Sequence, residues 1–164
     1  MNIIFVGFMG AGKSAIGRRL AKRLGYKFLD TDKMIVEKKN ESITEIFSTK
    51  GEGYFRNLET EILKDLVNVN NTVISTGGGI LTTGDNLLIM QKIGKIVFLD
   101  ANLDDIIERV SRNKKRPLLQ TKNPIETIKE LHKNRMPLYE KADLKIKTHK
   151  IQIQKIVSLI IKEL

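Results

Sequence analysis

Short apolar runs alternate with stretches of helical spacing along almost the whole chain. Residues 2–6 are nearly all apolar and show no polar face, as in a parallel strand buried on both sides. Residues 7–12 read as a loop, and residues 13–24 place Ile16, Leu20 and Leu24 at helical spacing. A second strand is predicted over 26–29, ending at Asp30-Thr31-Asp32, with helix following over 34–39. Ser42 and Glu45 form a capping-box pair that opens a short helix, and a longer helix runs from about 53 to 66. Further strands are predicted at 72–75, 95–99 and 144–147, the first of them broken by Gly77-Gly78-Gly79. Helices are predicted at 103–110, from Pro124 to about 133 or beyond, and at 151–164; proline suits a first helical turn. Residues 112–123 are polar, charged and proline-bearing, which reads as a mobile loop. Alternating strands and helices predict an α/β chain: a three-layer α/β/α sandwich around a five-stranded parallel sheet, in a single domain over 1–164.

Composition narrows this reading. A chain of 164 residues suits one domain with a real core, and no run of eighteen apolar residues is present to span a membrane. The short apolar start runs straight into a glycine loop and reads as a strand, not a signal peptide. There are no cysteines, which excludes disulfides, thiolate metal sites and cysteine nucleophiles, and fits a cytoplasmic setting. The net charge of +10 raises the question of nucleic acid, but the basic residues are spread out. Only Arg112-Asn113-Lys114-Lys115-Arg116 is dense, and no aromatic residue interleaves with it to stack bases. Eight of the 29 positive residues are arginine, and Arg56 and Arg135 stand alone among lysines. An isolated arginine in such a chain suggests that the planar fork is required.

The densest chemistry is at Gly7-Phe8-Met9-Gly10-Ala11-Gly12-Lys13-Ser14, the pattern G-x-x-x-x-G-K-S between a buried strand and a helix. Glycines let successive backbone N–H groups face one phosphate, and the helix start adds its positive dipole end. Lys13 neutralises charge near the transferring group, and Ser14 offers a hydroxyl to a magnesium ion. The acidic metal partner has two candidate positions. Asp100 ends an apolar run in the manner of a Walker B strand, or else caps the helix near Leu103. Asp30 and Asp32 also end a strand; two apart in continuing extension they would face the same way, and they are the favoured pair. Guanine recognition is disfavoured, because the string Asn113-Lys114-Lys115-Arg116 lacks the aspartate of Asn-Lys-x-Asp.

The phosphate loop, Leu29-Asp30-Thr31-Asp32, Gly51 to Glu59, Ser75 to Gly79, Arg116 to Leu119, and Arg135 to Tyr139, in this order, resemble the shikimate kinase family. The similarity runs from Ile3 to about Thr148. It implies ATP as co-substrate with Mg2+, shikimate as acceptor, sheet order 2-3-1-4-5 and a monomer, with no nucleic acid or membrane partner. It implies a nucleotide held by Gly10, Ala11, Gly12, Lys13, Ser14 and Ala15, and a metal held by Ser14 and Asp30. Asp32 would bind ring hydroxyls and take or orient the attacking proton, and Arg56 and Arg135 would grip the carboxylate. Glu59 would orient Arg56 or contact a hydroxyl, and Gly78 and Gly79 would offer backbone amides. Arg116, on a lid at about 112–123, would swing over the phosphates, with Lys13 and Asp32 completing the catalytic set. Arg109 and the stretch from His149 to Gln152 would flank the adenine. A kinase of gluconate or another sugar acid is the rival within the class, and a non-enzymatic nucleotide-binding module holding RNA the rival outside it.

Overall fold

The structure, a computed structural model, describes residues 1–113 and 116–164; Lys114 and Lys115 of the basic run lie outside the described residues. The strands are β1 (Ile3–Val6), β2 (Lys27–Asp30), β3 (Thr72–Ser75), β4 (Lys95–Asp100) and β5 (Leu144–Lys147). They form one sheet in the order β2-β3-β1-β4-β5, every pair parallel, as the resemblance implies. Side chains alternate between the two faces of a strand, and the core divides accordingly. Ile3 and Phe5 of β1 pack with Ile16 and Leu20 of α1 (Lys13–Leu24) and with Ile156, Val157 and Ile160 of α7 (Ile153–Glu163). Ile4 and Val6 face the other way, into a larger core closed by α2 (Thr31–Lys39), α3 (Ile43–Asp65), α4 (Asn86–Ile93), α5 (Leu103–Ser111) and α6 (Pro124–Tyr139). Both faces of the central strands are thus dry, which is why those strands read as unbroken apolar runs. The outermost strands carry exposed lysines, Lys27 on β2 and Lys145 and Lys147 on β5.

Several elements refine or depart from the sequence reading. Helix α2 begins at Thr31, directly where β2 ends, because the Asp30 carboxylate accepts from the backbone of Asp32 and Lys33 and caps it. The extension expected to carry Asp30 and Asp32 on one strand face therefore stops at Asp30. The helices opened by Ser42 and by residue 53 are continuous except at Gly51, whose φ of 83° and ψ of 171° break the run in a conformation that glycine adopts cheaply. The Ser42–Glu45 capping box is present in both directions. Helix α6 continues to Tyr139 with Pro137 inside it. Helix α4 and the 3₁₀ turn at Ile80–Thr82 were not foreseen. Among the described residues no helix is long and apolar enough to cross a membrane.

One buried side chain fixes the amino end of the sheet. Asn2 sends its amide nitrogen to the carbonyls of Val69 (2.6 Å) and Ile93 (2.9 Å), and its oxygen accepts from the Thr72 N–H (3.1 Å). It thereby joins the entrances of β3 and β4 to β1. Asn2→Ala would orphan three backbone groups, so chemical denaturation should show a loss of about 2–4 kcal/mol. A loss within experimental error would mean that water replaces the amide.

Candidate active site

The connection leaving β1 passes toward β2, and that leaving β3 passes toward β4. Chains diverging from neighbouring strands open a crevice at their carboxyl ends, the usual ligand position in such sheets. The glycine loop after β1 and Gly77-Gly78-Gly79 after β3 form its two banks. Gly7, Gly10 and Gly12 have φ of 146°, 75° and 88°, which lets the loop curl around a phosphate-sized space ahead of α1. Lys13 folds back over this loop and donates to the carbonyls of Gly7 (2.7 Å) and Phe8 (3.0 Å). Burial pushes its ammonium down to about 8, with Asp32 and Asp30 opposing and Arg116 reinforcing the shift.

Beside the loop, Ser14 Oγ donates to Asp30 Oδ2 (2.8 Å) and lies 3.1 Å from Ser75 Oγ. Asp30 uses its other oxygen as the α2 cap, so both of its oxygens are fixed. Asp100, the alternative metal carboxylate, instead pairs with Lys145 (3.5 Å). It does not cap the following helix either, since Asn102 does so through the Asp104 N–H. The short turn after β4 puts the capping position two residues beyond Asp100.

A cavity of about 540 Å³ runs over the loop and is lined by residues 9–16, Asp30, Asp32, Arg109 and Arg116. Thr148, Ile151 and Ile153 close its far end, where Arg109 donates to the Gly10 carbonyl (2.9 Å). Gln152 is exposed and lines an adjoining shallow cleft with Arg109 and Lys150. Ile151, within the stretch expected at the adenine, and Ile153, just beyond it, face the main cavity. His149 lies beside Asp105 (2.8 Å) and His132 stands edge-on to Phe8, so both serve the surroundings and not the cavity.

A second, smaller cavity adjoins the first. Arg56, Glu59, Arg135, Gly78 and Gly79 line it, and Asp32 and Arg116 line both cavities. Arg56 comes from α3 and Arg135 from α6, which places the two guanidiniums on one pocket although they are far apart in sequence. Arg56 pairs with Glu59 (2.7 Å) one helical turn on, and with the more exposed Glu52 (3.0 Å). A Cβ on Gly79 would collide with the Arg56 guanidinium, and one on Gly78 would lie 3.5 Å from Arg135 Nη1. At Gly79 any side chain would displace the Arg56 guanidinium from this position.

Three polar atoms here are buried without a partner: Asp32 Oδ1, Glu59 Oε1 and Arg116 Nε. The two carboxylate oxygens converge, since a Cβ on Gly77 would lie 2.9 Å from the first and 2.7 Å from the second. Burial raises the Asp32 carboxyl, Asp30 adding to the effect, and pushes Glu59 up to about 7 against the pull of Arg56. Burial likewise lowers the Arg116 guanidinium, with Asp32 opposing. Unpartnered polar atoms on groups of both signs, where two cavities meet, mark a candidate ligand site.

A parallel sheet in this order, a phosphate loop and an arginine-lined second cavity define a small-molecule P-loop kinase with an anionic acceptor. The profile of the shikimate kinase family matches residues 9–164. A shikimate kinase from Thermodesulfovibrio yellowstonii is 44% identical over 162 residues, covering 99% of this chain and 94% of that protein. The solved shikimate kinase from Acinetobacter baumannii in complex with shikimate superposes with a TM-score of 0.95 at 38% identity, over 99% of this chain and 91% of the other. The enzyme from Aquifex aeolicus gives 0.86 at 40% identity, over 99% and 95%. The chain belongs to the shikimate kinase family.

The Glu59 shift has a signed consequence. With a folded value of about 7 against the usual 4.5, the native state binds the extra proton between these values, so this group's contribution to stability falls as pH rises through 7. Glu59→Gln removes that dependence. The melting temperature of the wild type relative to the variant should therefore decline from pH 5 to pH 8; a constant difference would show that Glu59 titrates normally.

Proposed function

We propose that this enzyme transfers the γ-phosphoryl group of ATP to the 3-hydroxyl of shikimate, within aromatic amino acid (chorismate) biosynthesis. The observation that carries the reading is the placement of Arg56 and Arg135 on one small cavity, joined to the phosphate-loop cavity through Asp32 and Arg116. A carboxylate fits two planar forks, and the bound shikimate of the Acinetobacter enzyme supports the acceptor's identity.

In this reading residues 10–15 cradle the triphosphate, and Lys13 exchanges its two loop carbonyls for phosphate oxygens. Ser14 and Asp30 suit Mg2+, because a hydroxyl and a carboxylate oxygen 2.8 Å apart are hard donors, few enough to leave the ion its waters. When bound, that ion supplies charge neutralisation at the phosphates. Asp32 holds the acceptor hydroxyl and takes its proton; its raised affinity for protons suits that task. Arg116, on a lid at 112–123, stabilises the transferring charge from above both cavities. Glu59 keeps Arg56 in register, Gly78 and Gly79 leave room for the acid, and Arg109 with Gln152 borders the adenine. The whole chain acts as one domain and as a monomer, in the cytoplasm where ATP is supplied.

A coupled assay with ATP and magnesium should show turnover with shikimate, and none above background with gluconate, quinate or no acceptor. Preference for gluconate would refute the assignment. Lys13→Ala should abolish turnover, since transfer depends on charge and positioning; near-normal activity would mean that the transfer site lies elsewhere. Arg56→Lys and Arg135→Lys keep the charge but lose the fork. Each should weaken shikimate binding by about ten- to a hundredfold, with little change for a non-hydrolysable ATP analogue, as read by calorimetry. Weakened nucleotide binding with intact shikimate binding would reverse the assignment.

A further inference from the structure

The run that supplies Arg135 ends in Tyr139, one helical turn later on the same side of α6. Tyr139 is 1% exposed, and its ring packs against Phe98 with centroids 5.2 Å apart. A buried phenol needs a partner for its hydroxyl. Here it donates to the Gly78 carbonyl at 2.5 Å, across 61 residues of sequence. Burial pushes the Tyr139 hydroxyl up to about 12, against the pull of Arg135, so it remains a donor at neutral pH.

The same pattern continues along the glycine segment. The Gly79 carbonyl accepts from Thr82 Oγ1 (2.6 Å), and the Ile80 carbonyl from Asn86 Nδ2 (2.7 Å). Three successive carbonyls are each taken by a side chain. Asn86 is fully buried, and its oxygen accepts from Thr60 Oγ1 (2.7 Å), a residue on α3 one turn beyond Arg56. The segment is therefore held from α6 on one side and from the Arg56 helix on the other. A peptide unit is planar, so fixing the Gly78 carbonyl also fixes the direction of the Gly79 N–H on the same unit. That unit lines the acceptor cavity between the two arginines.

We propose that Tyr139 is a positioning residue for the acid substrate: by holding the Gly78 carbonyl it sets the Gly78–Gly79 peptide between Arg56 and Arg135 before the acid arrives. This rests on the shikimate reading above. A segment ordered in advance loses no conformational freedom on binding, so the effect falls on acceptor affinity. Tyr139 itself lines neither cavity, and its hydroxyl meets the glycine segment instead of the phosphate loop.

Tyr139→Phe keeps the ring and removes only the hydroxyl. The KM for shikimate should rise about five- to tenfold, the loss expected when a buried carbonyl gives up its donor. The kcat should stay within about twofold and the KM for ATP should not move, the signature of lost ground-state binding. Amide exchange of residues 77–82 should quicken in the same variant without substrate. Asn86→Ala, acting from the opposite side, should raise the shikimate KM in the same direction. Unchanged KM and unchanged exchange in Tyr139→Phe would overturn the inference alone. Parallel loss of ATP and shikimate affinity with a lowered melting temperature would also overturn it, as a merely structural effect. A wild type that does not turn over shikimate would overturn the substrate reading and this inference with it.

Discussion

Desolvation of charge at the carboxyl edge of the sheet governs this molecule. Lys13, Arg56, Arg116 and Arg135 share a cleft with Asp30, Asp32 and Glu59; Lys13, Glu59 and Arg135 are buried and the other four are half-buried. For Lys13, Asp32, Glu59 and Arg116, burial is the largest influence on protonation, exceeding the pull of every neighbouring charge. Such a cluster is tolerable only because four positive groups face three negative ones and because the backbone supplies carbonyls and N–H groups at loop turns and a helix start. The fold serves this constraint. Parallel strands end together, so a single edge delivers the glycine loop, the aspartates and the triple glycine within reach of one another.

The two substrates enter a division of labour already present in the protein. The phosphate-loop bank is built from backbone N–H groups and one lysine, which suit a flexible polyphosphate. The acceptor bank is built from two arginines on separate helices, with the glycine segment beside both and Gly79 close against Arg56. Asp32 and Arg116 belong to both banks and carry opposite charges. In the proposed transfer, the first would favour removal of a proton from the nucleophile and the second accumulation of negative charge on the phosphoryl oxygens. Placing them at the junction allows both demands to be met by groups that are held apart from bulk water.

Much of this was legible in the sequence, and the reasons for failure are specific. Helix α1 begins at Lys13 and ends at Leu24 as its spacing predicts, because glycines flank it on both sides. Arg56 and Arg135 stood out chemically in a lysine-rich chain. Helix α4 escaped notice because Leu88, on its outer side, is 59% exposed; an apolar residue facing solvent blurs the stripe that marks a helix. The strand-end reading of Asp30 and Asp32 gave the right neighbourhood through the wrong geometry, since a capping aspartate turns extension into helix within one residue. Tyr139 ends a motif that carries the family resemblance, but nothing local marks its role, and Asn86 leaves no local signal at all. Their partners are backbone carbonyls brought near by the fold, and any residue type can supply a carbonyl.

The open sheet ends in two edge strands, β2 and β5, each paired on one side only, and each presents lysine: Lys27 on one, Lys147 and the ion-paired Lys145 on the other. A free strand edge is a template for pairing with another chain, and exposed lysine on the edge disfavours that pairing. Lys27 and Lys147 thus oppose edge-to-edge pairing between copies of the chain, a use of charge that lies outside the cleft.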